Sequence, residues 1–539
     1  MDSESSVRTA LVFLSYALSV AEDAFFKLPG SAVIARYVKS SHQNDPGRTL
    51  LELILILFAI RTLLQSRTRA DGSGKNFVKY TEQEIDELID EWNPEPLALP
   101  LDSVEQSDFA AIPVIQGANG AKPKLLSTGK TVINLASFNF AGLAGNESVK
   151  ERAIEILRKY GLGSCGPPGF YGTTDIHMAL ERDIAQFLGT ESCILYSQGF
   201  STVSSVIGAF CKRGDVIVAD RGVNFAIQKG LQISRSTIRW YDHNDLKSLE
   251  EVLQSVEKER KKKRLPLTRR FIVTEGIFEN DGVLLDLPKI IELKEKYKFR
   301  LILDESLSFG TVGRTGRGLT ELYNVAATSV DMIVGSMANT LSSAGGFCAA
   351  SHVIVQHQRI NGTSFVFSAA MPSLLAASAS EGITALTNTP SIMTSLQENA
   401  RVLRGVLERL DCIIVPSHAV SPIIHVYVKP LSTASLLPPS ADAPKPATLG
   451  GKSNPSSVQP CNPAKFDIDE EERLLQQVVE EALVQGVMLT RAKRLHGQEL
   501  SEPRPSIRIA VTAALSKKDC EKAAAVIKAA LVKVLGKRR

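Results

Sequence analysis

Six short segments carry residues whose types and spacing could do chemistry. The first, Tyr160-Gly-Leu-Gly-Ser-Cys-Gly-Pro-Pro-Gly-Phe-Tyr-Gly172, is a glycine-rich loop followed by His177 and Glu181. Its glycines permit tight turns or the close approach of another group, and its aromatic content predicts a buried or interfacial loop. The second, Tyr196-Ser-Gln-Gly-Phe200, leads into a helix at Thr202. A helix N-terminus after such a turn suits an anion such as phosphate. The third, His243-Asn-Asp245, precedes a helix that Asp245 can cap. The fourth is Thr274-Glu-Gly-Ile-Phe278 with a turn at Asp281-Gly282. The fifth is Leu301-Ile-Leu-Asp-Glu-Ser306, with Gly310, Gly313, Gly316, Arg317 and Gly318 after it. Asp304 there ends an apolar run, and a carboxylate at the C-terminal end of a parallel strand points into the crevice where α/β folds bind ligands. The sixth is the pair Gly345-Gly346 after a strand and a small-residue loop.

The elements that must position these groups follow an α/β rhythm. From Val132 onward, apolar β-rich runs such as Val216–Ala219, Phe271–Thr274, Leu301–Leu303 and Met332–Val334 alternate with helical patterns. That alternation predicts a mostly parallel sheet covered by helices on both faces. Upstream, Thr81–Trp92 reads as an acidic helix capped by Thr81 and stopped by Pro94 and Pro96. The basic run Lys258–Arg264 reads as a solvated loop before the strand at Phe271. Leu431–Lys465 is rich in Pro, Ser and Ala without periodicity, which predicts a disordered insertion. An acidic helix from Asp467, a strand over Ser506–Thr512 and a closing helix from Lys517 complete a smaller C-terminal domain.

Length and composition set outer limits. A chain of 539 residues exceeds one simple core. A net charge of +4 is small for that length and gives no reason to expect nucleic-acid binding. The seven cysteines are scattered without a CxxC pair, so neither a metal site nor a disulfide framework is expected. Near the N-terminus, Thr9–Val20 is apolar but lacks a basic leader, which favours a helix lying on a membrane over a cleaved signal. Leu50–Leu64 is a stronger apolar run, with Glu52 and Arg61 near its ends, and is expected to span a membrane once.

The order and spacing of the six segments resemble the α-oxoamine synthases, a branch of the fold-type I enzymes that use pyridoxal phosphate (PLP). The resemblance runs from about Leu135 to the C-terminus apart from residues 431–465, with Gln198 inserted between Ser197 and Gly199. It implies an α/β large domain built on a mainly parallel seven-stranded sheet, plus a small C-terminal α+β domain. It also implies decarboxylative condensation of an amino acid with an acyl-CoA. The family pattern fails where its cofactor would be held. The aldimine lysine, seven residues before the second glycine of the Gly-Gly pair, falls on Asn339. The stacking histidine, four residues after the strand-end Asp220, falls on Asn224. The histidine three residues after Asp304 falls on Leu307, and the arginine of the glycine-rich loop on Pro168. No lysine occurs from Phe299 to Val428.

A scaffold kept while its lysine and two cofactor-facing histidines are lost resembles the serine palmitoyltransferase subunits that pair with a lysine-bearing second subunit. Glu91-Trp-Asn-Pro-Glu-Pro-Leu97, Ser164–Gly172, Phe225-Ala-Ile-Gln-Lys-Gly230, Glu305-Ser-Leu-Ser-Phe-Gly310 and Gln356-His-Gln-Arg-Ile360 carry that likeness. It implies a heterodimer whose partner holds PLP covalently, L-serine and palmitoyl-CoA as substrates, an endoplasmic-reticulum membrane location with the main domain cytosolic, and small regulatory membrane proteins. Cys165, Gly166, Phe170, Tyr171 and Ser368 would complete the partner's site across the interface, with Ala369 in place of a usual threonine. Cys165 is expected to pack rather than to act as a nucleophile. Arg508 would lie near a substrate carboxylate or make a structural salt bridge, and Asp304 would be left to cap or hydrogen-bond. The expected divisions are a lumenal or interfacial segment (1–48), a transmembrane helix (49–64), a linker and arm (65–130), the large domain (131–385) and the small domain (386–539). A membrane scaffold without catalytic part, and a self-sufficient synthase using another lysine, stay open on the sequence alone.

Overall fold

The computed structural model describes residues 30–64, 80–94, 112–429 and 468–536, without 265, 267, 494, 496, 497 and 501 and the side chains or local geometry of a few more, together with the isolated residues 27, 97 and 109. The chain divides into two compact units, residues 1–106 and 107–539.

The first unit contains α1 (Ser31–Asn44), α2 (Pro46–Leu64) and α3 (Glu82–Glu91). The α1 and α2 helices are tied by the Tyr37 hydroxyl, which donates to Glu52 at 3.4 Å, while Arg48 pairs with Glu52 at 3.0 Å. The apolar residues from Leu50 to Phe58 are exposed along α2. Yet no helix among the described residues is long and apolar enough to cross a membrane. The α2 helix carries Arg48, Glu52 and Arg61, and its apolar run, at 1.5 Å per residue, falls short of the ~30 Å of a hydrocarbon core. The expected span over 49–64 is therefore corrected, and the single-pass, one-sided placement in an endoplasmic-reticulum membrane that was built on it falls too. Residues 9–20 lie outside the described residues. In α3 the Thr81 cap agrees with the sequence reading, because Glu84 N–H donates to its hydroxyl at 3.3 Å and Glu84 reaches back to Thr81 N–H at 2.7 Å.

The second unit is organised by a seven-stranded sheet of β1 (Ser192–Tyr196), β2 (Val216–Asp220), β3 (Thr237–Tyr241), β4 (Arg270–Glu275), β5 (Arg300–Asp304), β6 (Met332–Ser336) and β7 (Gly346–Ala350), in the order β1-β7-β6-β5-β4-β2-β3. The helices α4 (Glu147–Tyr160) and α5 (Asp175–Leu188) precede β1, while α6 (Gly199–Phe210), α7 (Phe225–Ser234), α8 (Leu246–Lys263) and α9 (Leu287–Tyr297) connect the strands. After β7 come α10 (His352–Asn361), α11 (Thr363–Val366), α12 (Ser373–Asn388) and α13 (Ser391–Leu407). A second sheet, β8 (Ile413–Ile414), β9 (Ile423–Val428), β10 (Thr490–Arg491) and β11 (Ile507–Ala510), is antiparallel throughout in the order β8-β9-β11-β10, with α14 (Ile468–Val484) and α15 (Lys517–Leu535) beside it in sequence.

The large sheet is mixed, which corrects the mainly parallel expectation. Strand β7 runs antiparallel to both β1 and β6, while β6, β5, β4, β2 and β3 are parallel. The cause is the connection: β6 returns to β7 through residues 337–345 with no crossover helix, and neighbouring strands joined that way must reverse direction. The run Lys258–Arg264 is also not a plain loop. Lys258–Lys263 form the last turns of α8, whose buried Leu249, Leu253 and Val256 recur at helical spacing and whose cap Asp245 accepts from Lys247 and Ser248 N–H. Basic residues at that end complement the negative pole of the helix dipole. Residues 431–465 lie outside the described residues.

The glycine-rich stretch after β5 is wrapped around a carboxylate. Glu305 is buried and accepts from the Ser308 hydroxyl at 2.7 Å and from Leu319 N–H at 3.0 Å. Burial pushes its carboxyl up to about 7, against the pull of those donors. Gly318 sits at φ 82 and ψ −154, where a side chain would run into that carboxylate. Gly318→Ala is therefore expected to cost about 3–5 kcal/mol of folding stability, read as a lowered denaturation midpoint; an unchanged midpoint would contradict this packing.

Candidate functional site

Three carboxylates stand at the C-terminal ends of adjacent strands: Asp220 on β2, Glu275 on β4 and Asp304 on β5, all buried. This is the edge at which parallel α/β sheets open their ligand crevice. Asn224 knits two of them together. Its backbone N–H donates to Glu275 at 2.5 Å, its side-chain amide donates to Asp304 at 3.2 Å, and its amide oxygen accepts from Ile227 N–H at 3.0 Å as the cap of α7. Asp304 also accepts from Ser306 N–H at 2.9 Å. Burial holds both carboxyls above the ordinary carboxylate range, and the nearby Asp304 pushes Glu275 further.

Asp220 is held differently. It accepts from Gly222 N–H at 2.6 Å, Asn244 N–H at 2.7 Å and His243 Nδ1 at 2.7 Å, while His243 Nε2 reaches Asp281 at 2.8 Å. Burial lowers the His243 pKa, but the hydrogen bonds to Asp220 and Asp281 outweigh it and raise the imidazole to about 10. The folded pKa lies above the ordinary 6.5. The resulting stability is thus fully present below about 6.5 and is lost as pH rises through about 10. His243→Gln is expected to remove about 3 kcal/mol near neutrality, and the gap in melting temperature from wild type should close toward pH 10. A pH-independent gap would count against a charged His243.

Asn339 follows β6, and its amide donates to Ser306 O at 2.9 Å. Leu307 is buried in the core and presents no ring nitrogen. Arg508, on β11 opposite His425 of β9, places its guanidinium 4.4 Å from the Phe138 ring and 3.6 Å from Glu279. Its Nε is buried with no hydrogen-bond partner among the described residues. These residues do not fit a covalently held PLP. An amide cannot form the imine, Asn224 is spent on the α7 cap and on Asp304, and position 307 is apolar. No step of catalysis is assigned to such a group on this chain.

A second set lies in the glycine-rich loop. Cys165 is exposed at φ 55, and Tyr171 is at φ 72. Gly166 and Gly172 press together so closely that a Cβ on either would strike backbone. The loop is fastened to the segment after α11: Ala370 N–H donates to Gly166 O at 2.9 Å, and the Ser164 hydroxyl donates to Ala370 O at 2.7 Å. The loop is thus joined, through Ser164 and Gly166, to the segment that carries Phe367 and the half-buried Ser368. Phe170, Tyr171 and Phe367 are exposed by 61%, 102% and 83%, an unusual display of aromatic surface. Asp304, Asn224, Leu307 and Asn339 cluster instead about the strand ends, with Arg508 near Glu279. Sequence reasoning missed Phe138 as the platform for Arg508, for which nothing local could have pointed. It missed the role of Glu275 too, although the Thr274-Glu-Gly segment had marked the residue.

Comparison with known proteins gives consistent likenesses. Residues 130–527 match the family of class I and II aminotransferases. The chain is 38% identical to serine palmitoyltransferase 1 of Saccharomyces cerevisiae, over 94% of this chain and 92% of that protein. It is 44% identical to long chain base biosynthesis protein 1 of Arabidopsis thaliana, over 65% of this chain and 71% of that protein. Among solved structures, a serine palmitoyltransferase from Sphingomonas wittichii superposes with a TM-score of 0.65 at 20% identity, covering 80% of this chain and 96% of that one. An 8-amino-7-oxononanoate synthase from Francisella tularensis gives 0.56 at 18% identity, covering 75% and 98%. At such identities the structural likenesses establish the fold.

Proposed function

This chain belongs to the class I and II aminotransferase family, in the branch of serine palmitoyltransferase 1, and from that premise we propose that it is the subunit of serine palmitoyltransferase that does not hold PLP. In the assembled enzyme L-serine and palmitoyl-CoA condense to 3-ketodihydrosphingosine, the first committed step of sphingolipid synthesis. The lysine-bearing partner subunit supplies the cofactor and its electron-sink chemistry. This chain supplies the surface that closes the partner's site: the glycine-rich loop with Cys165, Gly166, Phe170 and Tyr171, and Ser368 beside it.

The observation that carries the reading is Asn339. The family match spans residues 130–527, yet motif spacing puts the aldimine position on an amide that donates to Ser306 O at 2.9 Å. The lysine-free stretch from Phe299 to Val428 leaves the self-sufficient synthase without a nucleophile. The test is the location of cofactor and activity in this chain alone, in the partner alone and in the pair.

A further inference from the structure

His177 and Glu181 lie one helical turn apart on α5 and are not used by the function proposed above. His177 is buried, and its tautomer can be read from its partners. Thr174 N–H donates to Nδ1 at 2.9 Å, so Nδ1 accepts and Nε2 carries the proton. That Nε2–H donates to Met371 O at 2.7 Å. His177 thus caps its own helix and grips the segment that follows α11. One turn on, Glu181 accepts from the guanidinium of Arg359 on α10 at 2.6 Å, and Arg359 lies over Phe365 of α11 at 5.7 Å. His177, Glu181, Arg359 and Met371 line one cavity of about 20 Å³, room for a single water.

The consequence is mechanical. Residues 359–371 are pinned at both ends to one face of α5, and Phe367 and Ser368 sit between the pins. The loop of Cys165 and Gly166 is joined to the same segment through Ala370 and Ser164. The Thr174 hydroxyl adds a contact to Ser373 at 3.1 Å.

We propose that His177 is a positioning residue that locks the glycine-rich loop and the Phe367–Pro372 segment into one rigid unit, so that it governs turnover at the partner's site without touching substrate. This rests on the reading that these two segments complete that site. Burial lowers the His177 pKa, in keeping with the neutral tautomer the contacts require, with Asp175, Glu181 and Arg359 as the charged groups around it.

The experiment uses the full chain, alone and in the pair, with His177→Ala and His177→Gln. Glutamine can accept from Thr174 N–H and donate to Met371 O, so it preserves both bonds. In His177→Ala, hydrogen exchange of peptides 164–174 and 366–373 should quicken about ten-fold, and kcat of the pair should fall about 30-fold with KM for serine within about two-fold. His177→Gln should restore slow exchange and most of kcat. Unchanged exchange in His177→Ala overturns the latch, as does a Gln variant that folds with wild-type melting temperature but behaves like Ala. Faster exchange with unchanged kcat overturns the catalytic consequence. If the wild-type pair shows no dependence on this chain, the function proposed above fails instead, while the exchange result still decides the latch.

Discussion

Borohydride reduction of the assembled pair leaves the pyridoxyl mass on the lysine-bearing partner and none on this chain. The reason is chemical before it is structural: an imine needs a primary amine, and Asn339 offers an amide whose nitrogen donates to Ser306 O. The nearest lysines in sequence do not rescue the position. Lys298 caps the end of α9 before β5, whereas Asp304 closes that strand, five residues long, so about 13 Å of extended backbone lies between them. Lys429 comes after β9. This chain alone should show no aldimine absorbance, and the activity of the pair should exceed that of either chain by at least about 100-fold, the loss expected when an oriented part of a site is removed. A stable, reducible adduct on the isolated chain would mean that another lysine reaches the crevice, and the silent-subunit reading would be abandoned.

The second large effect concerns the aromatic face. Tyr171→Asp and Phe367→Asp should each weaken association with the partner by about 30- to 1000-fold, the equivalent of about 2–4 kcal/mol for a hot-spot residue. Both side chains are exposed in this chain, so the isolated variants should melt with the wild type. Aspartate also tolerates the φ of 72 at position 171 better than tyrosine does. Sedimentation of the pair gives the dissociation constant, and activity at limiting concentration should recover when partner is added in excess. Wild-type association in both variants would show that this face is not the docking surface.

Both predictions draw on features whose visibility in the sequence differs. The reading of Asn339 rests on motif spacing, a covalent property: the count back from Gly346 needs no fold. The caps at Thr81 and Asp245 were readable for a similar reason, since each acts within one turn of its own helix. The apolar run of α2 misled, because Glu52 and Arg61 were read as lying at the ends of a span, whereas the helix with Arg48, Glu52 and Arg61 is too short and too charged to cross a bilayer.

Local pattern thus determined most of the segments that become strands and helices, and which of them end in chemistry-bearing residues. Tertiary structure decided the rest. The direction of β7 follows from a return loop without a helix, which periodicity does not encode. Asn224 meets Glu275 and Asp304 across separations of 51 and 80 residues, and Ser164 meets Ala370 across 206. Such contacts depend on how the crossover helices stack the strand ends and fold the loops together. Period and composition report how much of a segment is buried, and only packing decides against what.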